Sequence, residues 1–360
     1  MTDRVEGRLI GVVDGCTNPE SAELLVDGET VVFGNCCLGV GFPWFREGRG
    51  IVYHQGDAFV SQARLTVDGF VVTQRQLITG LSGTLGCDVL RANPTGRFPI
   101  GTVFMCEGGK PLTATGQALV LDADPGVLAF DGMTGEVRGR ISMGPGSEIA
   151  RAFNGLEQPN GLAIDSSGNL YVGDIPNTNP DPDPEAAPPV PPAVYRIPNA
   201  SLDGLAAGTA GAGRGVERVV MPNFVNGIAI SPIDQVAHAV SCSYTDPING
   251  GVYRLDDAAF ASGVQPAPIR TGFGIQDGIC VTRRGTVLVS NPVLNTIVGF
   301  RVDGTDVAVL TTGLPTRMPA DFNVVYPPFL NGEPALLVTD ISVGSPPGDG
   351  TVCAIAIEGL

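Results

Sequence analysis

Six short stretches of this chain each set one oxygen-bearing side chain beside an apolar run. They are Pro19-Glu20-Ser21, Cys87-Asp88-Val89, Pro159-Asn160-Gly161, Val225-Asn226-Gly227, Gln276-Asp277-Gly278 and Ala320-Asp321-Phe322. Carboxylate and amide oxygens are what hard divalent cations take as ligands, and calcium accepts roughly six to eight of them. If the stretches converge, Glu20 and Asp277 supply two negative charges to balance a divalent ion. Asn160 and Asn226 then add neutral oxygens without adding repulsion, and water or substrate completes the shell. Asp88 and Asp321 are left as partners of the ligands, as a general base, or as structural caps. Taken singly, an Asn-Gly or Asp-Gly pair reads as a turn. As a set the six resist that reading, because Glu20 is a poor turn former and neither Asp88 nor Asp321 precedes a glycine.

Bringing these side chains together requires a repeated element, and the sequence contains one. Its clearest copy runs from Pro159 to Asp174: an apolar strand, a Ser-Gly-Asn turn and a second apolar strand, followed by strands at Ala193–Ile197 and Glu217–Met221. Four short antiparallel strands bounded by turn residues make one propeller blade. Third strands recur at Ala58, Val127, Val194, Val252, Ile297 and Val352, and first strands begin near the six oxygen-bearing residues. The expected fold is therefore all-β, a six-bladed β-propeller with four-stranded antiparallel blades. The sixth blade lacks a fourth strand before the chain ends at Leu360, and Arg8–Val13 is expected to supply it and close the ring. Residues 1–360 then form a single domain. The stretch 176–192, with eight prolines, is expected as a loop inside blade three rather than as a linker.

Composition agrees with a closed β architecture. The 360 residues include 50 Gly and 30 Pro as turn formers, and a hydrophobic share of 43% is enough to offset ordering entropy. A formal charge of −16 argues against a nucleic-acid partner, which needs clustered Lys and Arg. The N-terminal residues carry no apolar signal segment and no run is long enough to span a membrane, so a cytoplasmic protein acting on a small molecule is expected. The eight cysteines show no C-x-x-C spacing and read as buried thiols rather than disulfides.

The segments around Asn160, Asn226 and Asp277, together with Glu20-Ser21, resemble motifs of the SMP-30/gluconolactonase family. The resemblance implies a six-bladed calcium-dependent propeller hydrolase. Its single ion would be held by Glu20, Asn160, Asn226 and Asp277, with Asp277 doubling as base. The wider superfamily includes organophosphate hydrolases and lactonases. Blade three departs from gluconolactonases proper in carrying Pro-Asn-Gly, and no match to their sugar-binding arginine is found. Both departures weigh against a sugar-lactone substrate.

Loops following the second strands should overhang the ion. One of them carries Phe42, Trp44 and Phe45, a cluster that reads as a lid or an apolar substrate wall, with ordinary loop packing as the alternative. His54 and His238 sit in apolar runs and read first as buried structural histidines. No Gly-x-Ser-x-Gly elbow supports a serine nucleophile. A metal-dependent hydrolase of a lactone or ester is the leading expectation. A lyase, isomerase or cyclase using the same ion stands second, and a non-catalytic interaction scaffold third.

Overall fold

The computed structural model describes residues 7–37, 56–108, 124–144, 146–153, 158–175, 191–242, 250–302, 306–310 (backbone only), 315–343, 345–346 and 348–357. Within them lie six four-stranded antiparallel sheets. Blade one is built from Pro19–Leu24, Thr30–Asn35, Ala58–Thr66 and Gly69–Leu81. Blade two comprises Thr84–Val89, Thr102–Glu107, Gly126–Asp131 and Val137–Ser142, and blade three Pro159–Ile164, Leu170–Asp174, Ala193–Ile197 and Glu217–Val220. Blade four has Phe224–Ile230, Ala237–Cys242, Gly251–Leu255 and Arg270–Thr271. Blade five has Ile279–Val281, Thr286–Asn291, Thr296–Arg301 and Asp306–Leu310.

Blade six takes Pro319–Val325, Ala335–Asp340 and Gly350–Ile357 from the end of the chain and Gly7–Cys16 from its beginning. The two termini pair with Arg8 opposite Ala356 and Val12 opposite Cys353. The expected closure is therefore present, four residues longer than Arg8–Val13. The N-terminal strand thus becomes the rim strand of blade six and ties the two ends of the chain together.

Burial explains why the strands read as they do. Second strands such as Thr30–Asn35, Thr102–Glu107 and Ala335–Asp340 are buried at every position, because each blade is covered on both faces by its neighbours. Fourth strands on the rim are half open to solvent, as in Gly69–Leu81 and Val137–Ser142. The core therefore lies between blades. One cluster joins Leu85, Phe104 and Ile141 of blade two to Leu162, Val172 and Tyr195 of blade three.

All eight cysteines are free thiols, and all but Cys37 are buried. Burial pushes the Cys16, Cys242 and Cys353 thiols up to about 12, and the half-buried Cys37 thiol to about 11. Since the thiolate is the reactive form, a disulfide reagent should titrate at most Cys37 in the native protein, and all eight thiols after denaturation. Rapid native labelling of several cysteines would contradict this core arrangement. Among the described residues, no helix is long and apolar enough to cross a membrane.

Candidate metal centre

Each innermost strand carries a β-bulge where it enters the channel. The pairing register slips by one residue between Pro19 and Ala22, Thr84 and Cys87, Pro159 and Leu162, Val225 and Ile228, and Pro319 and Phe322. Blade five has the same geometry, with the Asp277 N–H on the Ser290 carbonyl at 3.2 Å and the Ser290 N–H on the Gly278 carbonyl at 3.0 Å. A bulge re-aims a side chain that would otherwise follow the pleat. The first bulge residue is Glu20, Leu85, Asn160, Asn226, Asp277 and Ala320 in blades one to six, and the second is Ser21, Gly86, Gly161, Gly227, Gly278 and Asp321.

This register corrects the expectation of six equivalent oxygen-bearing residues. Four of them, Glu20, Asn160, Asn226 and Asp277, are structurally equivalent. Asp321 stands one residue beyond Ala320, and Asp88 three beyond Leu85. The Asn-Gly and Asp-Gly pairs are not turns. Their glycines let neighbouring inner strands touch: a Cβ on Gly161 would lie 2.7 Å from the Asn226 carbonyl oxygen, and one on Gly227 would lie 2.6 Å from that of Asp277.

The four equivalent side chains are buried, with relative exposures of 5% for Glu20, 4% for Asn160, 7% for Asn226 and 8% for Asp277. The Asn160 amide donates to Asn226 Oδ1 at 2.5 Å, and the Asn226 amide donates to the Gln276 carbonyl at 3.2 Å. Glu20 Oε2 is buried with no hydrogen-bond partner. An unpartnered buried carboxylate oxygen is costly and requires an explanation. Burial raises the Glu20 carboxyl well above its usual range, and the nearby Asp277 and Asp321 raise it further. Burial pushes Asp277 to about 7, while burial and then Asp277 push Asp321 to about 8. Among the described residues no three His, Cys, Asp or Glu side chains group as a metal cluster. The equivalent set is instead two carboxylates and two amides. Its charge, its hard oxygens and the orphaned Glu20 oxygen all fit a hard divalent cation.

Asp321 occupies the position that four other blades give to glycine, and its Oδ1 accepts the Phe322 N–H at 2.9 Å. Asp88 points away from the quartet. Its Oδ2 accepts the Ile164 N–H at 2.7 Å, tying blade two to blade three, and its Oδ1 accepts the Val89 N–H at 2.6 Å. Asp88 also lines a cavity of about 520 Å³ at the opposite end of the channel, together with Glu23 and Arg91. His238 lies in the second strand of blade four, fully buried, and its Nδ1 faces the Val236 carbonyl at 3.1 Å. Burial lowers its proton affinity below that of a free imidazole. Phe42, Trp44, Phe45 and His54 lie outside the described residues, as does 176–190 of the proline-rich stretch.

A further set of residues fixes the approach to the axis. Each second strand carries a polar residue at or next to its end, beside the bulge. Asn35 Oδ1 accepts the Thr17 N–H, Glu107 the Ser82 N–H, Asp174 the Gln158 N–H, Ser241 Oγ the Asn223 N–H, and Asp340 the Arg317 and Met318 N–H groups. In blade five Asn291 instead donates to the Phe273 carbonyl. Hydroxyls join the blades one layer inward: Ser21 donates to the Leu85 carbonyl, Ser290 to that of Ala320, and Thr339 to those of Glu20 and Asp321. The recurring polar residue after four or five apolar ones, as in Thr-Val-Val-Phe-Gly-Asn35 and Ala-Leu-Leu-Val-Thr-Asp340, is the sequence signal for this layer.

The fold resembles that of SMP-30-like six-bladed propellers. A luciferin-regenerating enzyme superposes with a TM-score of 0.56 at 13% identity, covering 99% of this chain and 97% of that one. A gluconolactonase of Xanthomonas campestris gives 0.55 at 18% identity, covering 99% and 95%. The PQQ-bound aldose sugar dehydrogenase of Streptomyces coelicolor gives 0.54 at 12%, covering 98% of both chains. No family model matches the sequence, and no curated protein does.

Proposed function

We propose that this protein is a divalent-cation-dependent hydrolase of a lactone, an ester or a related small molecule, with calcium the ion its donors suit best. One observation carries the reading. The bulge position holds an oxygen donor in blades one, three, four and five and an apolar residue, Leu85 or Ala320, in the other two. An interaction scaffold would have no reason to concentrate two carboxylates and two amides at one buried level. The gluconolactonase among the structural neighbours supports the hydrolytic side of the proposal.

Glu20, Asn160, Asn226 and Asp277 would hold the ion, which would polarise a carbonyl or phosphoryl oxygen as a Lewis acid. The chain's own contribution is to fix those four oxygens through the bulges and to keep an unligated carboxyl, Asp321, in the neighbouring blade. In the ion-free fold burial and Asp277 raise Asp321 to about 8; a cation held beside it would favour its carboxylate, leaving it placed to exchange a proton with a reacting group. Asp88 is bound to two backbone N–H groups and serves structure.

Metal analysis and a substrate screen test this together. The protein should retain about one equivalent of calcium after gel filtration and hydrolyse at least one of γ-butyrolactone, phenyl acetate or a phosphotriester. A chelator should abolish turnover and calcium should restore it, with one oxygen-18 atom from labelled water entering the product. Chelator-insensitive turnover, or a protein that binds no divalent ion, would overturn the proposal. Turnover without label incorporation would point instead to a lyase or isomerase.

A further inference from the structure

The connections from second to third strand leave from the end of the propeller that carries the quartet, because Asn35, Asp174 and Asp340 pair with Pro19, Pro159 and Pro319, each next to the bulge. In blade five this connection is the shortest of the six, residues 292–295, against eight residues in blade four, nine in blade six and 18 or more in blades one to three. A four-residue turn cannot reach far from its strand ends, so its tip stays near the level of Asp277.

That tip is apolar and open. Val293 is 63% exposed and Leu294 67%. Among the described residues no other second-to-third turn carries an exposed pair of large aliphatics. The turn is also firmly held. The Leu294 N–H donates to Asn291 Oδ1 at 3.0 Å, and the Asn291 amide is tied to the Phe273 carbonyl. On the other side Asn295, in the left-handed region at φ 49, donates to the Thr316 carbonyl at 2.7 Å and accepts from the Thr316 hydroxyl at 3.0 Å. Pro292 restricts the first step of the turn. Two aliphatic side chains are thus held in water by a rigid polar frame, on the blade that supplies Asp277. Isolated exposed aliphatics need no explanation. An adjacent, immobilised pair on the turn that follows Asn291, at the end of the propeller that carries the quartet, does.

We infer that Val293 and Leu294 seat the hydrophobic part of the substrate, so that the axial site selects lactones or esters bearing an alkyl or aryl substituent over sugar lactones. This rests on the hydrolase proposed above. An apolar seat offers a sugar hydroxyl no hydrogen-bond partner.

The test compares γ-decalactone, γ-butyrolactone and D-glucono-δ-lactone as substrates in excess calcium. In the wild type kcat/KM should be highest for γ-decalactone. The double variant Val293→Ser, Leu294→Ser should lower the ratio of kcat/KM for γ-decalactone over γ-butyrolactone by about tenfold, as expected for losing contact with a few methylenes. Leu294→Phe, which enlarges the seat, should raise that ratio. Preference for D-glucono-δ-lactone, or a ratio that neither variant moves, would overturn the inference and leave the hydrolase intact. If the wild type hydrolyses none of the three, the hydrolase reading fails, and γ-decalactone binding followed by saturation-transfer NMR decides the seat. Binding that weakens in the double variant supports it, and binding that is equal or absent overturns it.

Discussion

In calcium-free buffer at pH 8 the Asp277→Asn protein should unfold at a higher temperature than the wild type, and in excess calcium at a lower one. The reversal follows from what surrounds Asp277. Without an ion, its carboxylate is buried and shares the axial end with Glu20 and Asp321. The folded-state proton affinity of Asp277 is raised from 3.8 to about 7. Ionising it in the metal-free fold therefore costs on the order of 2–4 kcal/mol at pH 8. Asparagine keeps the shape and removes the charge. With calcium at about ten-thousandfold excess over Kd the balance inverts, because the wild type gains RT ln(1 + [Ca]/Kd), about 5.5 kcal/mol, while a site missing a charged ligand gains far less. Calcium affinity should fall at least about a thousandfold, and turnover with it. Differential scanning calorimetry in chelator and in calcium reads both signs. Destabilisation of equal size in the two buffers would make Asp277 a structural residue and remove the ion from the account.

The same residues set a pH dependence for the metal-free wild type. A carboxyl whose folded-state affinity for the proton is raised contributes stability that is complete below its unfolded value and is lost as pH climbs through the folded one. For Asp277 and Asp321 that window runs from about 4 to about 8. Glu20 adds in the same direction, as do Glu23 and Asp88 further along the channel, with Arg91 opposing at those two. Bound calcium should flatten the slope, since an ion held by Glu20 and Asp277 favours their charged forms.

How much of this was legible beforehand follows from how the propeller uses its sequence. Blade number and closure were readable because the third strands repeat the same apolar run, and because Arg8–Val13 has no other partner. The quartet was readable because in four blades an oxygen-bearing residue precedes a small one. Blade two misleads for the same reason. Its bulge holds Leu85-Gly86, and the eye goes to Asp88, the nearest carboxylate, although the glycine marks the register. Had the blades been aligned on Gly86, Gly161, Gly227 and Gly278, Asp88 would have fallen out of the ring. Asp321 is harder, since blade six puts a carboxylate where four others have glycine, and only the pairing of Pro319 with Asp340 shows the offset. The polar ends of the second strands were visible but unread, because one polar residue closing an apolar strand looks like an ordinary boundary until its backbone partners are known.

Substituting Gly86 by alanine should destabilise the protein more than removing any single axial hydroxyl, although Gly86 contributes no side chain. A Cβ at this position would stand 2.3 Å from the Asn160 carbonyl oxygen, 2.9 Å from the Leu162 nitrogen and 3.2 Å from the Gly161 carbonyl carbon. All three are backbone atoms of the next inner strand, so no flexible side chain can give way. Blades two and three must separate or the bulge must rebuild, at about 3 kcal/mol or more. Either response moves Asn160, so calcium affinity should fall along with stability. Ser21→Ala is the comparison, at the equivalent position of blade one. It deletes one hydroxyl bond to the Leu85 carbonyl and introduces no clash, which is worth about 1 kcal/mol. If Gly86→Ala melted within a degree or two of the wild type and bound calcium as tightly, the inner strands would not be in backbone contact. The bulge register that defines the quartet would then have to be abandoned, because the same close approach sets the spacing of Asn160, Asn226 and Asp277 around the axis.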